Sequence, residues 1–233
     1  VPLATMDNVW IILEHDPRLK GKFALNQFAG RGEVLGPLPW TERTERRLWG
    51  DNDNQGLYWY LEKFYQITGA SKIDGALSLH SEKHAFNEVT AYLGGLQWDG
   101  TPRLDTLFID YLGAEDTPYI RAVTRKAFTA AVARAMEPGA KFDNMTILSG
   151  PQGIGKSTLL DKMSKGWFND SIRTFEGKEA SELLQGVWLV EISELDAFRR
   201  TDVSRIKQFL SLRVDRFLSL IHISEPTRRV VIS

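Results

Sequence analysis

The sequence predicts an α/β protein: a mainly α-helical N-terminal region, then a parallel sheet with crossover helices. Three observations lead there. Across residues 1–95 the apolar side chains recur mostly at helical spacing between turn signals. From Lys141 onward short apolar runs alternate with helical stretches, the order that a parallel sheet with crossovers imposes. Between the apolar run NMTILS and the helical TLLDKM lies a glycine-rich turn, GPQGIGKST, from Gly150 to Thr158. The expected organisation is therefore a helical region 1–95, a helical segment 96–140 leading into the core, the core itself at 141–217, and a tail 218–233.

Taken in order, the first region carries one interruption. Leu25–Trp40 (LNQFAGRGEVLGPLPW) places Gly and Pro between Val and Leu, which reads as a short hairpin. In Gly100–Gly113, Thr101 suits an N-cap, Pro102 suits N1, and Gly113 suits the stop; Leu104, Leu107, Phe108 and Tyr111 would share a face. The next helix is expected to start near Asp116 or Thr117 with Pro118 in its first turn. It should bury Ile120, Val123, Ala127, Ala131 and Ala135 before Pro138 and Gly139 end it. In the core, MTILS, SIRTF and VWLVEI read as strands, with one helix through Leu160 and Met163 and another ending near Gly186.

Composition narrows the function only by exclusion. The 233 residues have 42% hydrophobic and 25% charged content, ordinary for a globular chain, and a net charge of −1. Neither nucleic acid nor membrane is favoured globally, so any such binding must come from a local patch. The absence of cysteine removes disulfides, thiolate metal sites and cysteine nucleophiles. Apolar runs such as Val9–Leu13 are far below the roughly 18–20 residues that span a bilayer, so no membrane partner is expected and a cytoplasmic location is. The chain opens on Val1 without a signal-peptide order, which reads as an internal start.

Gly150, Gly155, Lys156 and Ser157 complete the pattern G-x-x-x-x-G-K-[ST]. The glycines permit a turn that aims successive N–H groups inward at phosphate oxygens. Lys156 brings a point charge to the β and γ phosphates, Ser157 offers a hydroxyl to Mg²⁺, and the following helix presents its positive end. The expected ligands are ATP and Mg²⁺, held by Gly150, Pro151, Gln152, Gly153, Ile154, Gly155, Lys156, Ser157 and Thr158 of a P-loop NTPase core. About 35 residues on, VWLVEISELD (Val187–Asp196) reads as a strand ending in carboxylates. Glu191 could hold the metal's hydration shell with Ser157, and Glu194 or Asp196 could orient the attacking water. A GTPase is disfavoured, since no N-K-x-D follows the loop and the D-x-x-G at Asp53–Gly56 precedes it. The long stretch ahead of the loop argues against a small-molecule kinase.

FDNMTILSGPQGIGKSTLL, GVWLVEISELDAFRR and IKQFLSLRVDRF together resemble the virulence-associated protein E family of phages and prophages; the upstream YLGGLQWDGTPRLDTLFIDYLG and VARAMEPGAKFDNM are similar to the same family. The resemblance covers nearly all of residues 1–217. It implies a P-loop ATPase related to superfamily 3 helicases, active in DNA replication in a bacterial host cell. Single-stranded or origin DNA, a primase partner and a homo-oligomeric full-length form are implied as well. It carries over Gly150, Gly155, Lys156, Ser157, Glu191 and Glu194. The alternative is a nucleotide-dependent regulatory or assembly module that unwinds nothing.

Three other features are weighed and declined. Asp51, Asp53, Gly56 and Glu62 nearly match a calcium loop, but Gln55 breaks it, and a helix from Leu57 needs Asp53 or Asn54 as N-cap. His80 and His84 stand four apart as metal ligands on a helix would, but Ser81 replaces the glutamate of H-E-x-x-H and no third ligand is evident. Trp98 and Trp188 read as core rather than base-stacking platforms. Between Arg199 and Arg216 six basic residues outnumber two acidic ones, and the stretch reads either as a DNA contact or as a solvated helix face. After Phe217, Leu218–Arg228 read as the translation of a sequencing adapter, so the tail is set apart and the core is expected to be truncated. A chain ending there would bind ATP yet turn it over poorly, because a sensor residue and an arginine finger would lie beyond it.

Overall fold

A computed structural model describes residues 2–142, 144–171, 183–192 and 230–231. It divides the chain into two compact units, Val1–Asn87 and Glu88–Ser233. The described residues are mixed α/β, with one antiparallel and one parallel sheet of three strands each. Among them no helix is long and apolar enough to cross a membrane.

In the first unit, α1 (Met6–His15) begins at Thr5, whose hydroxyl accepts the Asn8 N–H at 3.2 Å, and buries Val9, Ile12 and Leu13. The hairpin expected within Leu25–Trp40 is β1 (Phe23–Asn26) with β2 (Arg31–Val34), antiparallel, pairing Phe23 with Val34 and Asn26 with Arg31. Asn26 closes it: its Oδ1 accepts from Phe28 N and Ala29 N at 3.0 and 3.1 Å, and its Nδ2 donates to Glu33 Oε1 at 2.7 Å. A third strand, β3 (Arg47–Leu48), lies against β2.

Helix α2 (Asp51–Tyr65) starts earlier than the expected Leu57, with Gly50 as N-cap. Asp53 reaches back to accept the Gly50 N–H at 3.0 Å, the return half of a capping box. The same carboxylate takes two bonds from Arg47, at 2.5 and 2.7 Å, and one from Trp40 Nε1 at 3.1 Å. Asp53 is thus committed to protein partners at the start of a helix, not to the loop of a calcium site. Helix α3 (Ala70–Lys83) buries Ile73, Ala76 and His80, and α1, α2, α3 and the hairpin enclose a core of Val9, Leu13, Leu19, Phe23, Val34, Leu57, Leu61 and Ile67.

The second unit runs α4 (Glu88–Gly94), α5 (Leu107–Leu112), α6 (Pro118–Met136), α7 (Lys156–Ser164), β4 (Phe168–Asn169), β5 (Leu189–Val190) and β6 (Val230–Val231). Helix α5 begins after Thr106 rather than at Thr101. Asp99 explains the delay: it accepts the Thr101 N–H at 3.0 Å and holds the Arg103 guanidinium at 2.8 and 2.9 Å, fixing 99–103 as a turn. Leu107 and Phe108 are buried as expected, while Leu104 and Tyr111 are exposed. Helix α6 follows expectation at its start, with Thr117 accepting from Ile120 N at 3.2 Å and Pro118 at N1. It buries Ala127 and Ala131 as expected, together with Thr124, Phe128 and Ala130, while Ile120, Val123 and Ala135 are half-buried.

Strands β4, β5 and β6 are parallel in that order. MTILS carries no strand: Ile147 is 64% exposed, and no ladder pairs residues 144–149. SIRTF lies outside the described residues apart from Ser171, and the strand before it is Phe168–Asn169. VWLVEI supplies β5 at Leu189–Val190, as expected. Strand β6 falls inside the tail that the sequence sets apart, and it pairs in parallel with β5, Val230 beside Leu189 and Val231 beside Val190. Trp188 is buried and donates its Nε1–H to Ala131 O at 3.0 Å, tying β5 to α6. Trp98, expected in the core, is 78% exposed, its ring N–H turned to Thr101 O at 3.3 Å in the same turn as Asp99.

Candidate functional site

The glycine-rich turn leads into α7, and its conformation depends on the glycines. Gly153 and Gly155 have φ of +86° and +91°, a region costly for any residue with a Cβ. Gly155 is the N-cap of α7 and brings no side chain to cap it. The first intrahelical bond is Leu159 N to Gly155 O at 2.9 Å, so the amides ahead of it have no intrahelical partner. Gly150 packs more tightly: a Cβ there would meet Ile154 Cδ1 at 3.2 Å.

Lys156, the first residue of α7, folds back over the loop. Its ammonium donates to Gly150 O and Pro151 O, both at 2.9 Å, so the charge is held over the glycine-rich turn. Pro151, Gln152, Ile154 and Thr158 are exposed along the same turn. Ser157 projects one residue on and donates its hydroxyl to Glu191 Oε1 at 2.8 Å.

Glu191 stands immediately after β5. Its N–H bonds Asn169 O at 2.9 Å, continuing the parallel ladder of β4 and β5 by one residue. The ladder therefore carries the carboxylate to the N-terminal turn of α7, 34 residues away in sequence. Its second oxygen, Oε2, is buried and has no hydrogen-bond partner among the described residues. A carboxylate with one oxygen on a serine hydroxyl and the other unmet is a hard-oxygen pair of the kind that suits Mg²⁺. The residues present fit that ion.

Lys156, Ser157 and Glu191 are thus brought together, while Glu194 and Asp196 lie outside the described residues, as does Arg199–Arg216. Asn169 has no role in the sequence reading. Its carbonyl positions Glu191, and its side-chain amide donates to Leu183 O at 2.8 Å. No motif marks it, because both functions use generic amide groups.

The family model of the virulence-associated protein E-like domain matches residues 93–230. That span contains the whole loop, Glu191 and the first residue of β6, and leaves residues 1–92 outside it. No curated protein matches the chain.

Proposed function

The chain belongs to the family of the virulence-associated protein E-like domain, and on that premise we propose that it is a P-loop ATPase of a phage or prophage replication system. One observation carries this reading: the contact of Ser157 Oγ with Glu191 Oε1 at 2.8 Å, on the helix turn that also begins with Lys156. A structural hydrogen bond alone would not need a lysine and two left-handed glycines beside it.

In this reading the amide N–H groups at the start of α7 donate to the triphosphate oxygens, and the positive helix end adds to their pull. Lys156 exchanges the carbonyls of Gly150 and Pro151 for oxygens of the β and γ phosphates, which leaves its charge where negative charge develops as the γ-phosphoryl group departs. Ser157 and Glu191 would hold Mg²⁺, which when bound neutralises charge on the β and γ oxygens. Glu194 or Asp196 is assigned the water, taking its proton as the oxygen attacks phosphorus and the bond to the β-phosphate oxygen breaks. A cytoplasmic site of action, DNA as effector and a homo-oligomeric working form belong to the same proposal.

The test is steady-state ATP hydrolysis with and without single-stranded DNA. Stimulation by DNA that disappears in Lys156→Ala is the expected result. Hydrolysis indifferent to DNA would favour a regulatory or assembly module instead.

A further inference from the structure

We propose that Glu14, His80 and His84 form a transition-metal site, of the class that takes Zn²⁺, joining α1 to α3 in the first unit. His80 and His84 sit at i and i+4 of one helix end and so share a face. What the linear sequence lacks, a third ligand, comes from α1. Glu14 Oε2 lies 3.1 Å from His80 Nε2 and 2.6 Å from His84 Nε2, and the three donor atoms all fall within 4.8 Å of one another.

The spacing suits a shared ion. Ligand atoms about 2.0–2.1 Å from a tetrahedral Zn²⁺ are roughly 3.3 Å apart, so the His80 pair already has that separation. The His84 pair must open slightly, at a side chain that is 42% exposed. Exposure at His84 also gives an entry path and leaves a fourth position for water. His80 is 2% exposed, so the core around it fixes where its ring nitrogen lies. Its ring packs against those of Phe23 and Trp10, 5.4 and 6.2 Å away, and its Nδ1 has no hydrogen-bond partner among the described residues.

Two imidazole nitrogens and one carboxylate favour zinc and its neighbours over Mg²⁺ or Ca²⁺, which prefer all-oxygen sets. One positive group opposes the ion: Lys83 Nζ lies 3.5 Å from Glu14 Oε1 and 4.3 Å from the Trp10 ring centroid. It engages the other carboxylate oxygen, so no ligand atom is blocked.

The experiment titrates the chelator-stripped full chain with ZnCl₂ by calorimetry and with CoCl₂ by visible absorption. One equivalent should bind, with the intense d–d bands of a low-coordinate cobalt site, and Zn²⁺ should raise the thermal midpoint. His84→Ala, at a half-exposed position, should fold as the parent and weaken Zn²⁺ by more than about 100-fold, beyond the loss typical of outer-shell partners. Glu14→Gln should do likewise, and Lys83→Gln should tighten binding. Glu191→Gln should leave the zinc titration unchanged. The proposal is overturned if no one-equivalent binding is seen, if His84→Ala and Glu14→Gln bind zinc as the parent does, or if Glu191→Gln abolishes it.

Discussion

Ser157 and Glu191, 34 residues apart, meet in a 2.8 Å hydrogen bond that links the first turn of α7 to the end of β5. The contact places a hydroxyl beside a carboxylate whose other oxygen is buried and has no partner among the described residues. In the proposed function it is the seat of the metal, and the first prediction concerns its removal. Ser157→Ala should weaken ATP in the presence of Mg²⁺ by about 10- to 150-fold, the value of one hydrogen bond to a charged group at about 1.5–3 kcal/mol. ATP measured in EDTA should differ little between variant and parent, and equilibrium binding under the two conditions checks this.

Gly155→Ala should weaken nucleotide binding through the backbone alone. Nothing stands within 4 Å of a Cβ there, yet φ is +91°, which costs a side chain about 1–2 kcal/mol. A loss of about 5- to 30-fold in ATP affinity, with the thermal midpoint of the first unit unchanged, is the expected pattern.

Gly56→Ala should do the reverse. A Cβ at Gly56 would lie 2.2 Å from Trp40 Cδ1, so the indole must move, and overpacking of this kind costs about 1–3 kcal/mol. Chemical denaturation should register the loss while ATP binding is retained.

Asp53 governs an acid-sensitive part of the first unit. Burial raises its pKa, but the Arg47 guanidinium, the Gly50 N–H and Trp40 Nε1 outweigh it and hold the carboxyl below its ordinary 3.8. A depressed folded-state pKa means stability that is complete above the unfolded value and is lost as pH falls from about 4 through the folded one. Asp53→Asn should cost about 3 kcal/mol near neutral pH, since it leaves the Arg47 charge, 19% exposed, without its partner. It should also flatten the fall of stability below pH 4, which denaturation at stepped pH would reveal.

Much of this was legible in the sequence where local chemistry decides. The hairpin, the Thr117–Pro118 helix start and the glycine turn each depend on residues within a few positions of one another. Ser157 and Glu191 stand out in the sequence separately, one in the glycine-rich motif and one at a strand end, and it is the ladder of β4 with β5 that brings them into contact. Thr101 misled because Asp99 and Arg103 compete for the same backbone with a turn of their own. MTILS misled because an apolar run announces burial only when another element covers it, and Ile147 is largely exposed. Glu14 could not be found beside His80 and His84, since the packing of α1 on α3 alone unites them.

The most direct test of the central claim is calorimetric titration of the chain with ATP, with Mg²⁺ and with EDTA, for the parent and for Lys156→Ala. One ATP per chain should bind in Mg²⁺, more weakly in EDTA, and Lys156→Ala should abolish the binding. A parent that binds no ATP, or a Lys156→Ala variant that binds it equally well, would contradict the assignment of residues 150–158 and Glu191 to a nucleotide site.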